Sequence, residues 1–302
     1  AGGIVLYDSS EDWLNTSNGT SSNHLNTGGI RSNSDVDAQA DYLNDIEDTG
    51  KGWEYGDLKG FLLDDEINPS IISAHLDLTE GYRNDGLDRG IYNDRANHAS
   101  RIVATFPDAF GYQAIVVVID RVEPTSAVDD FHIRIPVHGY SVDNNRVRVS
   151  RDGEHCDVYG VLPSNMEVQT STGFSYQGQD MSPDSGAESN SDEGNGEVIR
   201  WQATSNYAGV LHRIATYITL SGSSVDESAF VTNTSADSWW VSHPTLRCQI
   251  VTSLDNNPRT SCDFTVHYAN TNLLIVDLEP GKYTLDGQEY TIQEGQNQLF
   301  VA

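Results

Sequence analysis

What most constrains this chain is a succession of short runs of branched and aromatic residues, each roughly five to ten residues long and each closed by Gly, Pro, Asn or Asp. The runs include Leu58 to Leu63, Ile71 to Leu78, Arg101 to Phe106, Gln113 to Val122, Phe131 to Val137, Arg146 to Ser150 and Cys156 to Leu162. They continue through Val198 to Ala203, Gly209 to Leu220, Thr245 to Ser253, Cys262 to Tyr268 and Leu273 to Leu278. Runs of that length are too short for stable helices and too often punctuated for a parallel sheet with helical crossovers. They predict an all-β chain built as a large antiparallel β-sandwich, with at most one or two short helices.

The one helix expected spans Ser34 to about Glu47, capped by Ser34, with Val36, Ala40, Leu43 and Ile46 near one face. Two further strands are expected at the ends, Gly3 to Tyr7 and the last residues to Val301, and a hairpin turns at Asp286-Gly287. The stretch Gln177 to Glu197 is polar, acidic and poor in apolar residues, and reads as a long loop within one domain covering residues 1–302. No fixed-period repeat points to a propeller or a solenoid.

Charge narrows the possible partners. Forty-five acidic residues stand against 17 basic ones, a net charge of -28. Nucleic acid and anionic membranes need a basic footprint, so both are expected to be excluded. No apolar run approaches the ~18 residues of a membrane span. The opening Ala1-Gly2-Gly3 is what a chain freed of a signal peptide would present, which makes an extracellular or cell-surface location the expectation. The Asn-x-Ser/Thr sequons at Asn15, Asn18 and Asn233 are candidate glycosylation sites in a host that glycosylates.

The motifs of common enzymes are missing: no His-Glu-x-x-His, Gly-x-Ser-x-Gly or Walker loop occurs, and the nine histidines are scattered. Of three cysteines, Cys248 and Cys262 flank a turn signal and are either a hairpin disulfide or two buried thiols, with Cys156 left over. Asn33, Asp35 and Asp37 alternate oxygen ligands and are candidate calcium ligands, calcium being the only cofactor suggested. Ala38 stands where an EF-hand needs Gly, so this is not an EF-hand. An acidic group at Asp184, Glu188, Asp192 and Glu193 invites the same reading, against that of a solvated face. Trp239-Trp240 on a strand would point to opposite faces, one into the core and one available to stack on a sugar. Asp120-Arg121, at the end of four branched residues, is placed to form a structural ion pair where a buried strand emerges.

Four segments together resemble the C-terminal β-sandwich of heparinase II/III-type polysaccharide lyases. They are Ile71-Ile-Ser-Ala-His-Leu-Asp-Leu-Thr-Glu-Gly-Tyr82, Arg101-Ile-Val-Ala-Thr-Phe-Pro107, Ile115-Val-Val-Val-Ile-Asp-Arg-Val122 and Leu278-Glu-Pro-Gly-Lys-Tyr283, with Leu6-Tyr7-Asp8 and Gly28-Gly29-Ile30-Arg31 upstream. The resemblance implies a lyase in which Tyr and His of an α/α-toroid abstract a proton beside a uronate carboxylate, aided by a sandwich His and often a structural zinc. This chain has no toroid-like run of helices, and its matching segments are expected to begin after the one carrying that His and the zinc ligands. No catalytic residue carries over, so the chain is expected to be non-catalytic by itself.

Two functions from different classes follow as expectations. A sandwich that begins part-way through the strand order leaves open edges, which predicts a structural subunit of an extracellular assembly or filament. In it, strands from Ile4, Val5 and Leu6 and from Leu299, Phe300 and Val301 pair with other copies. The alternatives are the C-terminal part of a lyase acting on a uronate-containing polysaccharide and a carbohydrate-binding module.

Overall fold

The computed structural model describes residues 28–32, 35–36, 57–64, 71–79, 96–107, 109–124, 130–137, 140–151, 153–163, 167–172, 175–176, 179–180, 197–204 and 211–302. Numbered along the chain, eight antiparallel strands form the central sheet. Their order is β3 (Asp57–Asp64), β4 (Ile71–Asp77), β5 (Ala96–Pro107), β6 (Ala114–Pro124), β15 (His212–Leu220), β10 (Glu154–Leu162), β9 (Arg146–Arg151), β8 (Tyr140–Asp143). A second, five-stranded sheet runs β16 (Val231–Thr234), β17 (Ser238–Ser242), β18 (Cys248–Ser253), β19 (Asn272–Val276), β22 (Gln298–Val301). A third is formed by β11 (Glu167–Thr172), β14 (Glu197–Thr204), β7 (Asp130–Val137), β1 (Gly28–Ser32) and β2 (Asp35–Val36). Two small hairpins complete the set, β12 (Ser175–Tyr176) with β13 (Gln179–Asp180), and β20 (Gly281–Leu285) with β21 (Gln288–Ile292).

The period of two decides what lies where. In β6, Ile115, Val117 and Ile119 face the second sheet, where they meet Val241, Ile250, Leu274 and Phe300 in the inter-sheet core. Val116 and Val118 point the other way, into a cluster with Val103, Val158 and Ile218 against which Val168 of β11 packs. A strand apolar on both faces is therefore buried on both, and each fully buried branched side chain contributes about 1.5–3 kcal/mol. Outside the five-stranded sheet, Trp240, Val251, Ile275 and Leu299 form a third cluster, covered by Tyr283 and Tyr290 of the β20–β21 hairpin and by Phe264.

The Asp286-Gly287 turn of that hairpin has φ of 48° and 82°, the conformation its sequence predicts. The seam between the two main sheets closes at Gly60 of β3, where a Cβ would stand 2.8 Å from the Gln296 carbonyl oxygen. Beside it the Phe61 amide donates to the Gly295 carbonyl at 3.3 Å.

Two expectations are corrected. Cys262 to Tyr268 is not a strand: Cys262 and Phe264 pack inward on the outer face of the five-stranded sheet, while Thr265, Val266 and His267 are exposed. Gln249, whose Nε2 donates to the Thr265 carbonyl at 2.9 Å, anchors it. Where the helix was expected to begin, Asp35–Val36 instead pairs antiparallel with Arg31 and Ser32; the rest of that segment lies outside the described residues. So do Gly3 to Tyr7 and most of the 177–197 stretch. A short helical turn lies at Glu227–Ala229, capped by Asp226, and among the described residues no helix is long and apolar enough to cross a membrane.

Candidate functional site

Asp120 and Arg121 are neighbours in β6, so their side chains leave on opposite faces of the central sheet. Asp120 faces the same side as Val116 and Val118 and accepts from Arg101 of β5, its cross-strand partner, at 2.6 Å from Nε and 3.2 Å from Nη2. Arg121 faces the inter-sheet core. It is fully buried, and four of its five donor hydrogens have partners: Nε donates to Ser100 Oγ (3.0 Å), Nη1 to Asp277 Oδ2 (2.6 Å), and Nη2 to both Asp277 Oδ1 (3.2 Å) and His75 Nε2 (2.7 Å).

Asp277 follows β19 and belongs to the second sheet. Its carboxylate also accepts from the amide and hydroxyl of Ser253, each at 3.0 Å. Burial pushes this carboxyl up, but the Arg121 charge and hydrogen bonds, with His75 and Ser253, hold it below the usual carboxylate range. Its φ of 62° places a non-glycine residue in the left-handed region. The Arg259 amide, donating to the Asp277 carbonyl at 2.8 Å, helps to hold it there.

His75 is pushed down to about 4, first by burial and then by the Arg121 charge. It is thus neutral at pH 7, and because Nε2 accepts from Arg121 its proton sits on Nδ1, 3.4 Å from Asp277 Oδ1. Burial first, then Arg121, also lowers His98, whose Nε2 lies 3.0 Å from Ser100 Oγ. Arg213, paired with Arg121 across the β6–β15 ladder, donates to the Leu254 carbonyl and lies 5.8 Å over the Trp239 ring. Burial and then Arg121 bring it down to about 10, so it stays charged at pH 7.

With Arg121, Asp277 and His75 all buried, the network is a clamp between two sheets rather than a site open to substrate. It joins the sequence segments that begin at Ile71, Arg101, Ile115 and the stretch just before Leu278. Thr79 adds a further tie, its hydroxyl donating to the Ala99 carbonyl at 3.3 Å and accepting from the Ala99 amide at 3.1 Å.

A second polar cluster lies toward the other end of the same core. Asp157 is gripped in bidentate fashion by Arg148 (2.7 Å from both Nε and Nη2) and accepts from Tyr159 Oη (3.2 Å) and Ser224 Oγ (3.0 Å). Burial pushes Asp157 up, but the Arg148 and Ser224 hydrogen bonds keep it below its ordinary value. Beside it, a cavity of about 270 Å³ opens between β10 and β16, lined by Tyr159, Val161, Leu162, Glu227, Phe230 and Thr232 among others.

The residues singled out from sequence fare differently. Cys248 and Cys262 do not form a disulfide: both are free. Cys248 faces the inter-sheet core while Cys262 packs on the outer cluster, so the sheet itself separates them. Trp239 and Trp240 do point to opposite faces, but both rings are buried, at 5% and 3% exposure, which removes the sugar-stacking platform. Asn233 is exposed on β16, while Asn15 and Asn18 lie outside the described residues.

Leu299 and Phe300 are buried and Val301 is half-buried, all three paired with β19; Ile4, Val5 and Leu6 lie outside the described residues. Asp35 sits in β2, and Asn33, Asp37 and the acidic group from Asp184 to Glu193 also fall outside them. Among the described residues, no three His, Cys, Asp or Glu gather as a metal site. Sequence reasoning missed Asp277, Ser253 and Glu227. Asp277 had a signal: like Asp120-Arg121, it directly follows a run of buried apolar residues, Leu273 to Val276.

No protein-family model matches the chain, and no curated protein matches it. Among solved structures, it is similar to heparan sulfate lyase HepC from Pedobacter heparinus, at 10% identity and TM-score 0.39, over 76% of this chain and 34% of that one. A mutant of that enzyme matches at 10% identity and TM-score 0.41, over 67% of this chain and 28% of the other. The chain thus spans about a third or less of the length of the structures it matches.

Proposed function

We propose that the chain is an exported, non-catalytic β-sandwich of the heparinase II/III type, serving as the rigid platform for a helical catalytic unit that acts on a uronate-containing polysaccharide. One observation carries this reading. The segments that begin at Ile71, Arg101 and Ile115 are joined by the His75–Arg121 and Arg101–Asp120 contacts, and Arg121 reaches across the sheets to Asp277, the residue just before the segment at Leu278. Three of these segments are neighbouring strands, β4, β5 and β6, so the long-range contact from Arg121 to Asp277 is what ties the motifs together.

Within this reading the sandwich supplies no proton-abstracting group: His75 is neutral, buried and held by Arg121. The test is the ultraviolet absorbance of the conjugated, unsaturated uronate product. Heparin, heparan sulfate and alginate are each incubated with the chain alone and with the chain joined to an α/α-toroid lyase unit. Product only in the joined form supports the reading. Product from the chain alone, or none from either form, overturns it.

A second reading, assembly of copies by strand pairing, is favoured by β3. Among the described residues this strand ends the central sheet; its edge is partly taken, the Phe61 amide donating to the Gly295 carbonyl at 3.3 Å, but Leu58, Phe61 and Leu63, with Ile72 beside them, are 44–58% exposed. β22 offers less to another copy, because it pairs with β19 on one side and lies against β3 on the other. Sedimentation in molar salt, which screens the acidic surface, tests this. A monomer that is unchanged by Leu63→Glu rules it out.

A further inference from the structure

The cavity beside Tyr159 owes its existence to one extra residue. Along β10, Gly160 pairs with Thr216 but Leu162 pairs with Ala215, so Val161 is bulged out of the ladder. On its other side the Gly160 amide continues the β9 ladder, donating to the Asn145 carbonyl at 3.1 Å. Facing the bulge is β16, the edge strand of the second sheet, and the two sheets part between them.

The lining is divided by chemistry. Val161, Leu162 and Phe230 bring apolar side chains to it, and Asn145, Glu227 and Thr232 polar ones. The aromatic ring is held in place. Phe230 lies 4.9 Å from the Tyr217 ring and 4.5 Å from the His243 ring. His243 is itself fixed, accepting at Nδ1 from the amides of Thr245 (3.2 Å) and Leu246 (3.4 Å) while Nε2–H donates to the Asp226 carbonyl at 2.9 Å. The Tyr159 hydroxyl is committed to Asp157 and to the Val225 amide, so its ring is immobile too. Glu227 is steadied by the Asn145 amide at 3.3 Å.

A held aromatic ring lining the same cavity as a carboxylate and a hydroxyl suits the C–H face of a sugar ring and its paired hydroxyls. Among the lining residues none is cationic, and the carboxylate repels an anionic ring. A volume of about 270 Å³ holds one ring, not an oligosaccharide. We propose that this cavity is a binding subsite for a single neutral pyranose, recognised through Phe230, Glu227 and Thr232. The inference does not rest on the lyase reading and survives its failure.

The test is an amide-shift titration of the intact chain with methyl glycosides of glucose, galactose, mannose and N-acetylglucosamine, and with glucuronate as the anionic counterpart. At least one neutral glycoside is expected to saturate shifts at Asn145 and Gly160 with a Kd on the order of 1 mM, and glucuronate to bind at least about tenfold more weakly. Glu227→Gln and Thr232→Val are each expected to weaken binding about tenfold with the rest of the spectrum unchanged. Thr232 is exposed, so its variant tests recognition without threatening the fold. Absence of saturation by every neutral glycoside, shifts centred elsewhere, equal binding of glucuronate, or variants that bind as well as the parent each overturn the proposal.

Discussion

Arg121 and Asp277 stand 156 residues apart in the chain and meet across the two sheets of the sandwich through hydrogen bonds of 2.6 and 3.2 Å, with both side chains almost wholly buried. The pair makes the two sheets interdependent, because neither charge has another full partner in the core.

Removing one member should therefore cost more than removing both. Asp277→Asn or Arg121→Met leaves an uncompensated buried charge or polar group and is expected to lower stability by about 3–5 kcal/mol. The apolar double variant Arg121→Met/Asp277→Leu is expected to lose distinctly less. Urea denaturation of the three proteins gives the comparison. Equal losses in single and double variants would remove the ion pair from this account.

Acid should destabilise the protein in two stages. His75 titrates at about 4 when folded, against 6.5 in the unfolded chain, so between those values the unfolded state binds the extra proton and stability falls with falling pH. The shift corresponds to at most about 3 kcal/mol. His98 is lowered too and acts in the same direction. Asp277, whose folded value is depressed, contributes stability that is present above the unfolded carboxylate value and lost as pH falls through the folded one, in a lower window. Denaturation midpoints from pH 7 to pH 4 should slope for the parent and flatten for His75→Gln; parallel slopes would contradict this assignment.

The β3–β22 seam should be sensitive to a single methyl group. Gly60→Ala places a Cβ 2.8 Å from the Gln296 carbonyl oxygen, a backbone atom that cannot simply turn away. The expected cost is about 1–3 kcal/mol, and amide exchange at Phe61, which donates to Gly295, should accelerate. Unchanged exchange at Phe61 would mean that the seam is looser than the structure has it.

All three cysteines should be titratable as thiols without reductant. Burial raises Cys156 to about 12 and Cys262 to about 11, and raises the wholly buried Cys248 as well. Thiolate, the reactive form, is thus scarce at pH 8. Alkylation followed by intact mass is expected to be slow on the folded protein, first at the half-buried Cys262, and complete at three sites after unfolding. A mass two hydrogens short, with one labelled site, would restore the Cys248–Cys262 disulfide.

Most strands were legible in the sequence because a sheet buried on one or both faces imposes either alternation or unbroken branched runs. Ala114 to Ile119 and His212 to Leu220 belong to that class. Cys262 to Tyr268 carries the same alternation in sequence yet is no strand, and Val266, on its apolar register, is exposed: the period of two does not say whether a neighbouring strand is there to pair with. Trp239 and Trp240 were legible as opposite-facing but not as both buried, because the cover over Trp240 comes from the β20–β21 hairpin and from Phe264, far along the chain.

By itself the sequence determined an all-β sandwich, most of the described strand positions and the opposite directions of Asp120 and Arg121, all of which follow from local backbone geometry. Only the tertiary structure decided that Arg121 meets Asp277 and His75, that Cys248 and Cys262 lie on opposite sides of a sheet, and that a bulge at Val161 opens a cavity against β16. Those are pairings between residues distant in sequence. They depend on which strand edges and faces come together, and no local periodicity carries that information.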